Sequence, residues 1–549
     1  MKVYEALAQA LVSEGVGIVF TVMDEINMHL VLHLSDKFGV KVIRARHEEG
    51  AVLMADGYTR VTGQPAVAII GAGPAIAHTG TGLVTMRLRR SPVIVIAADV
   101  ARTDPHNAKA FDNCGYTEVT AGTFIPLQNA STLVEDVGKS FRHVRSGKGP
   151  VVLNVPGDVF QSTVEEDWQY LPAPNAESIL KQRIQPDPDV ISQAAARLSK
   201  AERPVIIAGR GAVMSGARDS ILELGGRVGA LFACSLQARV FLDTEDCFLG
   251  ISGGFATPTA VKLIKESDCV LSVGTSLNAY TTRHGTLCPS ASLIQIDSEP
   301  LNIGALIRPD IGIVGDALAV VSALNSRLEK DGISGRVGYR SDSVRESVTN
   351  SWSFKSGPYV ESKDLLDPHE LVAELNTIVP ELRTVVCEAG HFCLFAAIGM
   401  DVPDSEGFIF GNDFAAMSVG LGLSIGAALG RPDRRCILFI GDGGMMMSLP
   451  ELETAARYNI PLTVIVMNDG AYGAEFHKLK AAGKSIDLTL FDNPEFEDVA
   501  RSLGCKGVTA RTIAEVRAAC ASIGNLDGPL VIDAKVTRDV MHWAMKEFL

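Results

Sequence analysis

The sequence has no two cysteines in a CxxC spacing, although ten cysteines are scattered along it. Most sit in apolar runs such as "DCVLSVG" and "RRCILFI", so they read as reduced core residues and exclude a zinc framework or a disulfide scaffold. No apolar run reaches about 18 residues, so no segment is long enough for a membrane-spanning helix. The start, "MKVYEALAQALVSEG", is amphipathic and lacks a charged-then-apolar leader, which makes a cytoplasmic location the expectation. Short-period repeats and low-complexity tracts are missing too, which excludes solenoids and coiled coils. Positive charge is in deficit: 50 Lys and Arg stand against 64 Asp and Glu, a net charge of −14. That balance argues against a general nucleic-acid binder, yet permits a locally positive pocket for a phosphorylated ligand.

What is present is an ordinary globular composition, 47% hydrophobic and 21% charged, in a chain of 549 residues. One hydrophobic core cannot serve that length, and about three units are expected. Apolar β-branched runs alternate with helix-period stretches throughout, the pattern of parallel sheets covered by helices on both faces. In the first block "GVGIVFTV", "KVIRAR", "PAVAIIGAG", "PVIVIAAD" and "GPVVLNVP" read as strands. "RPVIIAGRG", "CVLSVGTS" and "SLIQIDSEP" mark the second, and "RTVVCEAG", "RRCILFIGDGG", "PLTVIVMND" and "GPLVIDAKV" the third. The expected fold is therefore α/β, with three doubly wound parallel-sheet domains over residues 1–165, 185–330 and 366–549. "FQSTVEEDWQYLPAPNAES" reads as a first linker and residues 331–365 as a second, longer one.

One stretch of the third block carries chemistry. In open parallel sheets a ligand sits beyond the carboxyl ends of the strands. Asp442 follows the strand "CILFI" and Asp469 follows "PLTVIVM", so both acids face one crevice. Two carboxylates and a backbone carbonyl suit a hard cation such as Mg²⁺, which completes its shell with water and phosphate oxygens. Gly441, Gly443 and Gly444 let backbone N–H groups approach a phosphate, and the helix "SLPELETAARY" turns its positive end nearby. Either turn alone is a common tight turn. The joint spacing is more specific, with 24 residues (444–467) between Gly443 and Asn468.

That spacing resembles the GDG-x(about 24)-NN motif of thiamine-diphosphate-dependent enzymes. The resemblance runs along nearly the whole chain, in the family's order of pyrimidine-binding, central and diphosphate-binding domains. "RHEEGAVLMADGYTRVTGQPAVAIIGAGP" and "GRPDRRCILFIGDGGMMMSLPELETAARYNIPLTVIVMNDGAYG" are similar to acetolactate synthases and to 2-oxo acid decarboxylases of the pyruvate and benzoylformate decarboxylase type. By this resemblance Glu48 is the cofactor-activating glutamate, Met417 the bulky residue that bends the cofactor, and Ala415 a carbonyl near its amino group. Asp442, Asp469 and the carbonyl of Ala471 match the Mg²⁺ ligands. Gly390, His391, Gly441, Gly443, Gly444, Asn468, Tyr472 and Gly473 belong to the cofactor-binding segments. Asp469 stands where the family has a second asparagine, which adds a negative charge.

The implied reaction is decarboxylation of a pyruvate-like 2-oxo acid followed by joining of the fragment to an aldehyde or ketone, as in acetolactate synthase. The alternatives are a simple decarboxylase giving an aldehyde, or C–C cleavage of a diketone or hydroxyketone. Glu25 and Glu475 fall where the pyruvate decarboxylase type carries acids, and could form a proton relay or be exposed loop acids. Phe111 agrees with the Phe-Gln of acetolactate synthases while Asp112 does not; the His-His pair of the decarboxylases and a downstream lysine of the synthases are missing. His78 reads as a satisfied polar residue. "VGTSLNAYTTRHG" stands where the synthases bind FAD, so FAD is not expected and the central domain reads as a scaffold. An oxidoreductase is disfavoured because no glycine loop gives a full GxGxxG with its following acid. A binding protein without turnover would have no use for Glu48. Because the family draws Glu48 and the metal site from different chains, a homodimer or homotetramer with sites at the subunit interface is implied, with no membrane or nucleic-acid partner.

Overall fold

The computed structural model describes residues 1–173, 183–243, 247–288, 290–351, 364–521, 523–525 and 527–548. Within them, eighteen strands form three six-stranded sheets. The first holds β1 (Ile18–Thr21), β2 (Lys41–Arg44), β3 (Ala66–Ile70), β4 (Val93–Asp99), β5 (Phe124–Pro126) and β6 (Val151–Pro156), in the order β2-β1-β3-β4-β6-β5. The second holds β7 (Pro204–Ala208), β8 (Leu231–Cys234), β9 (Phe248–Ile251), β10 (Cys269–Val273), β11 (Ser292–Asp297) and β12 (Ile311–Val314), in the order β12-β11-β10-β7-β8-β9. The third holds β13 (Arg383–Cys387), β14 (Phe408–Phe410), β15 (Arg435–Gly441), β16 (Leu462–Asn468), β17 (Lys506–Ala510) and β18 (Leu530–Lys535), in the order β14-β13-β15-β16-β18-β17. The strand pairs β1 to β6, β7 to β12 and β13-β15-β16-β18-β17 are parallel, as all-buried β-branched runs require.

Counted from its own first strand, the third sheet repeats the order of the first, 2-1-3-4-6-5. The order reverses between β1 and β3 in one sheet and between β13 and β15 in the other, and such reversals open a crevice at the carboxyl ends. The expected α/β architecture is thus observed. Six strands (β5, β8, β9, β12, β14 and β17) are additions to those read from the sequence.

The chain divides into two compact units. One comprises Met1–Lys181, Glu361–Ala396 and Ile409–Val540 and contains the first sheet and most of the third. The other comprises Gln182–Val360, Ala397–Phe408 and Met541–Leu549 and contains the second sheet. In the second unit, a Cβ on Gly209 would lie 2.3 Å from the carbonyl oxygen of Gly274 and one on Gly211 2.9 Å from its Cα, so these two glycines of "GRGAVMSG" serve close packing of backbone on backbone.

In the first unit, two helices cross with glycine at the seam: Glu48–Thr62, and Gly420–Gly430 with the sequence "GLGLSIGAALG". Four glycines make the second a poor helix by propensity. Tertiary packing overrides this, because a Cβ on Gly426 would sit 1.9 Å from the Met54 carbonyl oxygen, and one on Gly57 2.0 Å from that of Leu423. Leu53, Met54, Leu421 and Leu423 are buried there in one apolar cluster. The helix Glu48–Thr62 is capped by His47, whose Nδ1 accepts from the Glu49 N–H, and ends on Gly63 at φ +66. Its first residue, Glu48, is thereby held at the carboxyl edge of the first sheet.

The first expected linker is anchored over its described part: Tyr170 donates from its hydroxyl, and Ala173 from its N–H at 2.7 Å, to Glu14 Oε1. Residues 174–178 of it lie outside the described residues. The second carries a helix, Asp342–Ser351, and its residues 352–363 lie outside the described ones. Among the described residues no helix is long and apolar enough to cross a membrane.

Candidate active site

Strands β15 and β16 run in register, with Gly441 paired to Met467, so Asp442 and Asn468 stand side by side at the carboxyl edge and Asp469 follows. The two acids are held differently. Asp442 Oδ1 accepts the Gly443 N–H at 2.8 Å, while its Oδ2 accepts the Gly470 N–H at 2.9 Å and Nδ2 of Asn493 at 2.6 Å. Asp469 Oδ1 accepts the Ala471 N–H at 3.0 Å, across a turn that Gly470 makes at φ +62. Burial pushes both carboxyls up; for Asp469 burial and then the Asp442 charge raise it to about 7. Two like charges sharing one crevice, Asp442 buried and Asp469 half-buried, are stabilised by a divalent cation.

Asn468 is committed inside the protein. Its Nδ2 donates to Asp533 Oδ1 at 2.9 Å, and its oxygen accepts from Asn493 at 3.2 Å. Asn493 therefore ties Asp442 to Asn468, and sequence reasoning missed it. It stands in "FDNPEF", far along the chain, with no local signal to mark it.

Around these acids the candidate cofactor residues converge. A Cβ on Gly443 would lie 3.8 Å from a Tyr472 ring carbon and 3.9 Å from Met417 Sδ. Met417 sits in a segment with two non-glycine residues in the left-handed region, Ala415 at φ +55 and Ser418 at φ +75, a conformation that persists where the surroundings impose it. A Cβ on Gly473 would lie 2.9 Å from Asp469 Oδ2 and 3.4 Å from the His391 Cβ. Gly390 and Gly441 both leave room for the Phe392 ring, at 2.4 and 2.9 Å from where their Cβ atoms would be. His391 is buried between Phe395 and His477, and burial pushes its imidazole down to about 3, so it is neutral. Glu475 is exposed in the first turn of the helix Gly473–Ala481.

Glu388, at the end of β13, was also missed. It is fully buried, burial pushes it up to about 8, and its Oε2 lies 2.2 Å from where a Gly444 Cβ would be. The rule that singled out Asp442 and Asp469, an acid at the carboxyl end of a buried strand, would have found it.

A second cluster lies at the edge of the first sheet. Glu48 Oε2 is 3.2 Å from His78 Nδ1, and the His78 ring stacks on His47 at 4.9 Å. His78, read as a satisfied polar residue, has the candidate activating acid as its partner. Glu49 packs along Gly82 and is pushed up to about 8 by burial, so Glu48 and Glu49 are not a solvated pair. Glu25 is exposed and accepts Nζ of Lys109 at 2.6 Å; that hydrogen bond holds it below the usual carboxylate range. Asp112 caps the helix Asn113–Val119 through the Gly115 N–H at 2.9 Å, and Phe111 meets Tyr116 edge-on at 5.5 Å.

Three family models match consecutive parts of the chain. Residues 1–118 match the N-terminal TPP binding domain of thiamine pyrophosphate enzymes, 191–324 their central domain and 388–534 their C-terminal TPP binding domain. The chain belongs to the thiamine pyrophosphate enzymes. Among curated members of this family it is 26% identical to an acetolactate synthase of Bacillus subtilis (strain 168), over 97% of this chain and 92% of that one. It is 28% identical to a sulfoacetaldehyde acetyltransferase of Alcaligenes xylosoxydans xylosoxydans, over 93% and 88%. A probable acetolactate synthase large subunit of Methanococcus aeolicus is 26% identical over 96% and 91%. Both TPP binding domains are thus matched within this one chain.

Proposed function

We propose that this thiamine pyrophosphate enzyme uses Mg²⁺ and acts as a carboligase of the acetolactate synthase type, removing CO₂ from a 2-oxo acid and joining the fragment to a second carbonyl. The observation that carries the reading is the convergence of Met417 and Tyr472 over Gly443, beside the acids Asp442 and Asp469. Thiamine diphosphate supplies the electron sink for loss of CO₂.

The residues fit that group. Asp442, Asp469 and the Ala471 carbonyl would hold Mg²⁺, whose charge relieves the repulsion between the two acids. The glycine segment Gly441, Gly443 and Gly444 would leave room for the diphosphate, the Gly443 N–H being already given to Asp442, with Gly390 and His391 closing the strand end. A neutral His391 fills this wall without adding charge. Met417 would prop the cofactor and Ala415 would offer its carbonyl to the amino group. Glu48 would share a proton with a ring nitrogen of the aminopyrimidine, a general acid–base role. Carboligation is preferred over simple decarboxylation because the chain is similar over nearly its whole length to acetolactate synthases. Exposed Met446, Met447, Phe414 and Phe491 beside this site suit a second copy of the chain, so the working unit we propose is a homodimer or homotetramer with Glu48 facing its partner's cofactor.

The test is incubation with thiamine diphosphate, Mg²⁺ and pyruvate, with products identified by NMR with and without FAD. Acetolactate or acetoin formed without FAD supports the reading. Acetaldehyde alone would replace it with a simple decarboxylase.

A further inference from the structure

Lys109 is placed with more care than a surface lysine needs. Its carbonyl oxygen lies 2.1 Å from where a Cβ on Gly73 would be, so Gly73, at φ +54, is the residue that lets this loop lie directly on the turn after β3. The Lys109 N–H donates to Asn107 Oδ1 at 3.0 Å, and Asn107 in turn donates to Asp104 Oδ2 at 2.9 Å. Its Nζ reaches Glu25, in the loop after β1. That loop is itself pinned: Asp24 accepts the N–H groups of Ile26 and Asn27, and through Oδ2 that of Ala72 beyond β3. The cation is thus fixed across the point where the strand order reverses.

It also lies on the rim that carries Glu48. Gly73 leads into the helix Pro74–Ala77, the Ala77 carbonyl accepts from the Tyr116 hydroxyl at 2.9 Å, and the next residue, His78, touches Glu48. Phe111, packed on Tyr116 and half-exposed, supplies an apolar wall two residues from Lys109. The ion pair is open to solvent, with 35% of the lysine and 66% of the glutamate side chain exposed. An exposed pair is weak, so an incoming anion can displace the glutamate readily.

Resting on the 2-oxo acid reading above, we propose that Lys109 anchors a second anionic group on the substrate, a carboxylate or sulfonate at the end remote from the oxo acid, and that Glu25 occupies the place of that group until substrate arrives. The substrate class is therefore a dianionic 2-oxo acid. Glu25 neutralises Lys109 in the free enzyme and swings away when the substrate's tail replaces it.

The experiment compares matched ligands that differ by the tail charge: 2-oxoglutarate against 2-oxopentanoate, and 3-sulfopyruvate against 2-oxobutanoate. Thermal shift titrations on protein loaded with thiamine diphosphate and Mg²⁺ read binding, and CO₂ release is followed in parallel. In at least one pair the charged ligand is expected to half-saturate the wild type at a tenfold lower concentration or less. Lys109→Met abolishes that preference, Lys109→Arg keeps most of it, and Glu25→Gln sharpens it severalfold by removing the competing carboxylate. Equal binding of charged and neutral ligands in both pairs, or a preference that survives in Lys109→Met, overturns the inference. A preference without CO₂ release keeps the anion site and removes the decarboxylation reading; CO₂ release without a preference does the reverse.

Discussion

Asn493 donates from Nδ2 to Oδ2 of Asp442 at 2.6 Å, joining a loop to the end of β15 across 51 positions of sequence. The same nitrogen reaches Asn468 at 3.2 Å, so one amide fixes the direction of an acid proposed to bind Mg²⁺. Asn493→Ala should weaken Mg²⁺-dependent binding of thiamine diphosphate by roughly tenfold or more, the usual effect of losing a residue that orients a ligand. Isothermal titration calorimetry at fixed Mg²⁺ reads this directly, and an unchanged affinity would show that Asp442 needs no such support.

Asp469 gives the site a pH dependence. Burial and the Asp442 charge raise it from the ordinary value to about 7, so in the metal-free protein it holds a proton below that pH. Mg²⁺ must displace the proton, and apparent Mg²⁺ affinity should therefore climb from pH 6 to pH 8 and level off above. The cofactor's own phosphates titrate in the same range, so Asp469→Asn is the control: it should lose the part of the slope that belongs to the protein. A variant with the wild-type slope would contradict the assignment.

Glu388 acts on stability. Its folded-state value is raised by burial to about 8 from the ordinary 4.5, so the folded protein holds a proton that the unfolded chain gives up. Stability from this group is complete below about pH 4.5, falls by about 1.4 kcal/mol per pH unit towards pH 8, and is flat beyond. Glu388→Gln keeps the shape without the charge. Its apparent melting temperature relative to the wild type should rise steadily from pH 5 to pH 8, and a constant difference would mean that Glu388 does not titrate there.

The crossing of the helices Glu48–Thr62 and Gly420–Gly430 depends on bare backbone. Gly426→Ala puts a methyl 1.9 Å from the Met54 carbonyl oxygen and should destabilise by about 1–3 kcal/mol. Gly226 lies in the helix Arg218–Val228 with nothing within 4 Å of its Cβ position, and Gly226→Ala should be neutral or stabilising by up to about 1 kcal/mol. Melting curves of the two variants against the wild type check both signs at once.

The strands legible in the sequence were mainly the long apolar ones at sheet centres, such as "CILFI" in β15. Five of the six that escaped it, β5, β9, β12, β14 and β17, are edge strands of three to five residues, too short to show a period, and β17 is the mixed "KGVTA". The site divides the same way. Asp442, Asp469 and the glycines around them were readable because strand, acid and turn are contiguous. Asn493 was not, since its partners are distant in sequence. Glu25 was readable only through the family resemblance, and its ion pair was not, because Lys109 lies 84 residues away.

The most direct measurement follows exchange of the C2 proton of protein-bound thiamine diphosphate into D₂O, by rapid quench and NMR, in wild type and Glu48→Gln. Because Glu48 is proposed to hold the proton on the aminopyrimidine ring, exchange should be fast in the wild type and slower by about 10²-fold or more in the variant, with cofactor still bound. Equal exchange rates with equal occupancy would contradict the role of Glu48, and with it the proposed active site.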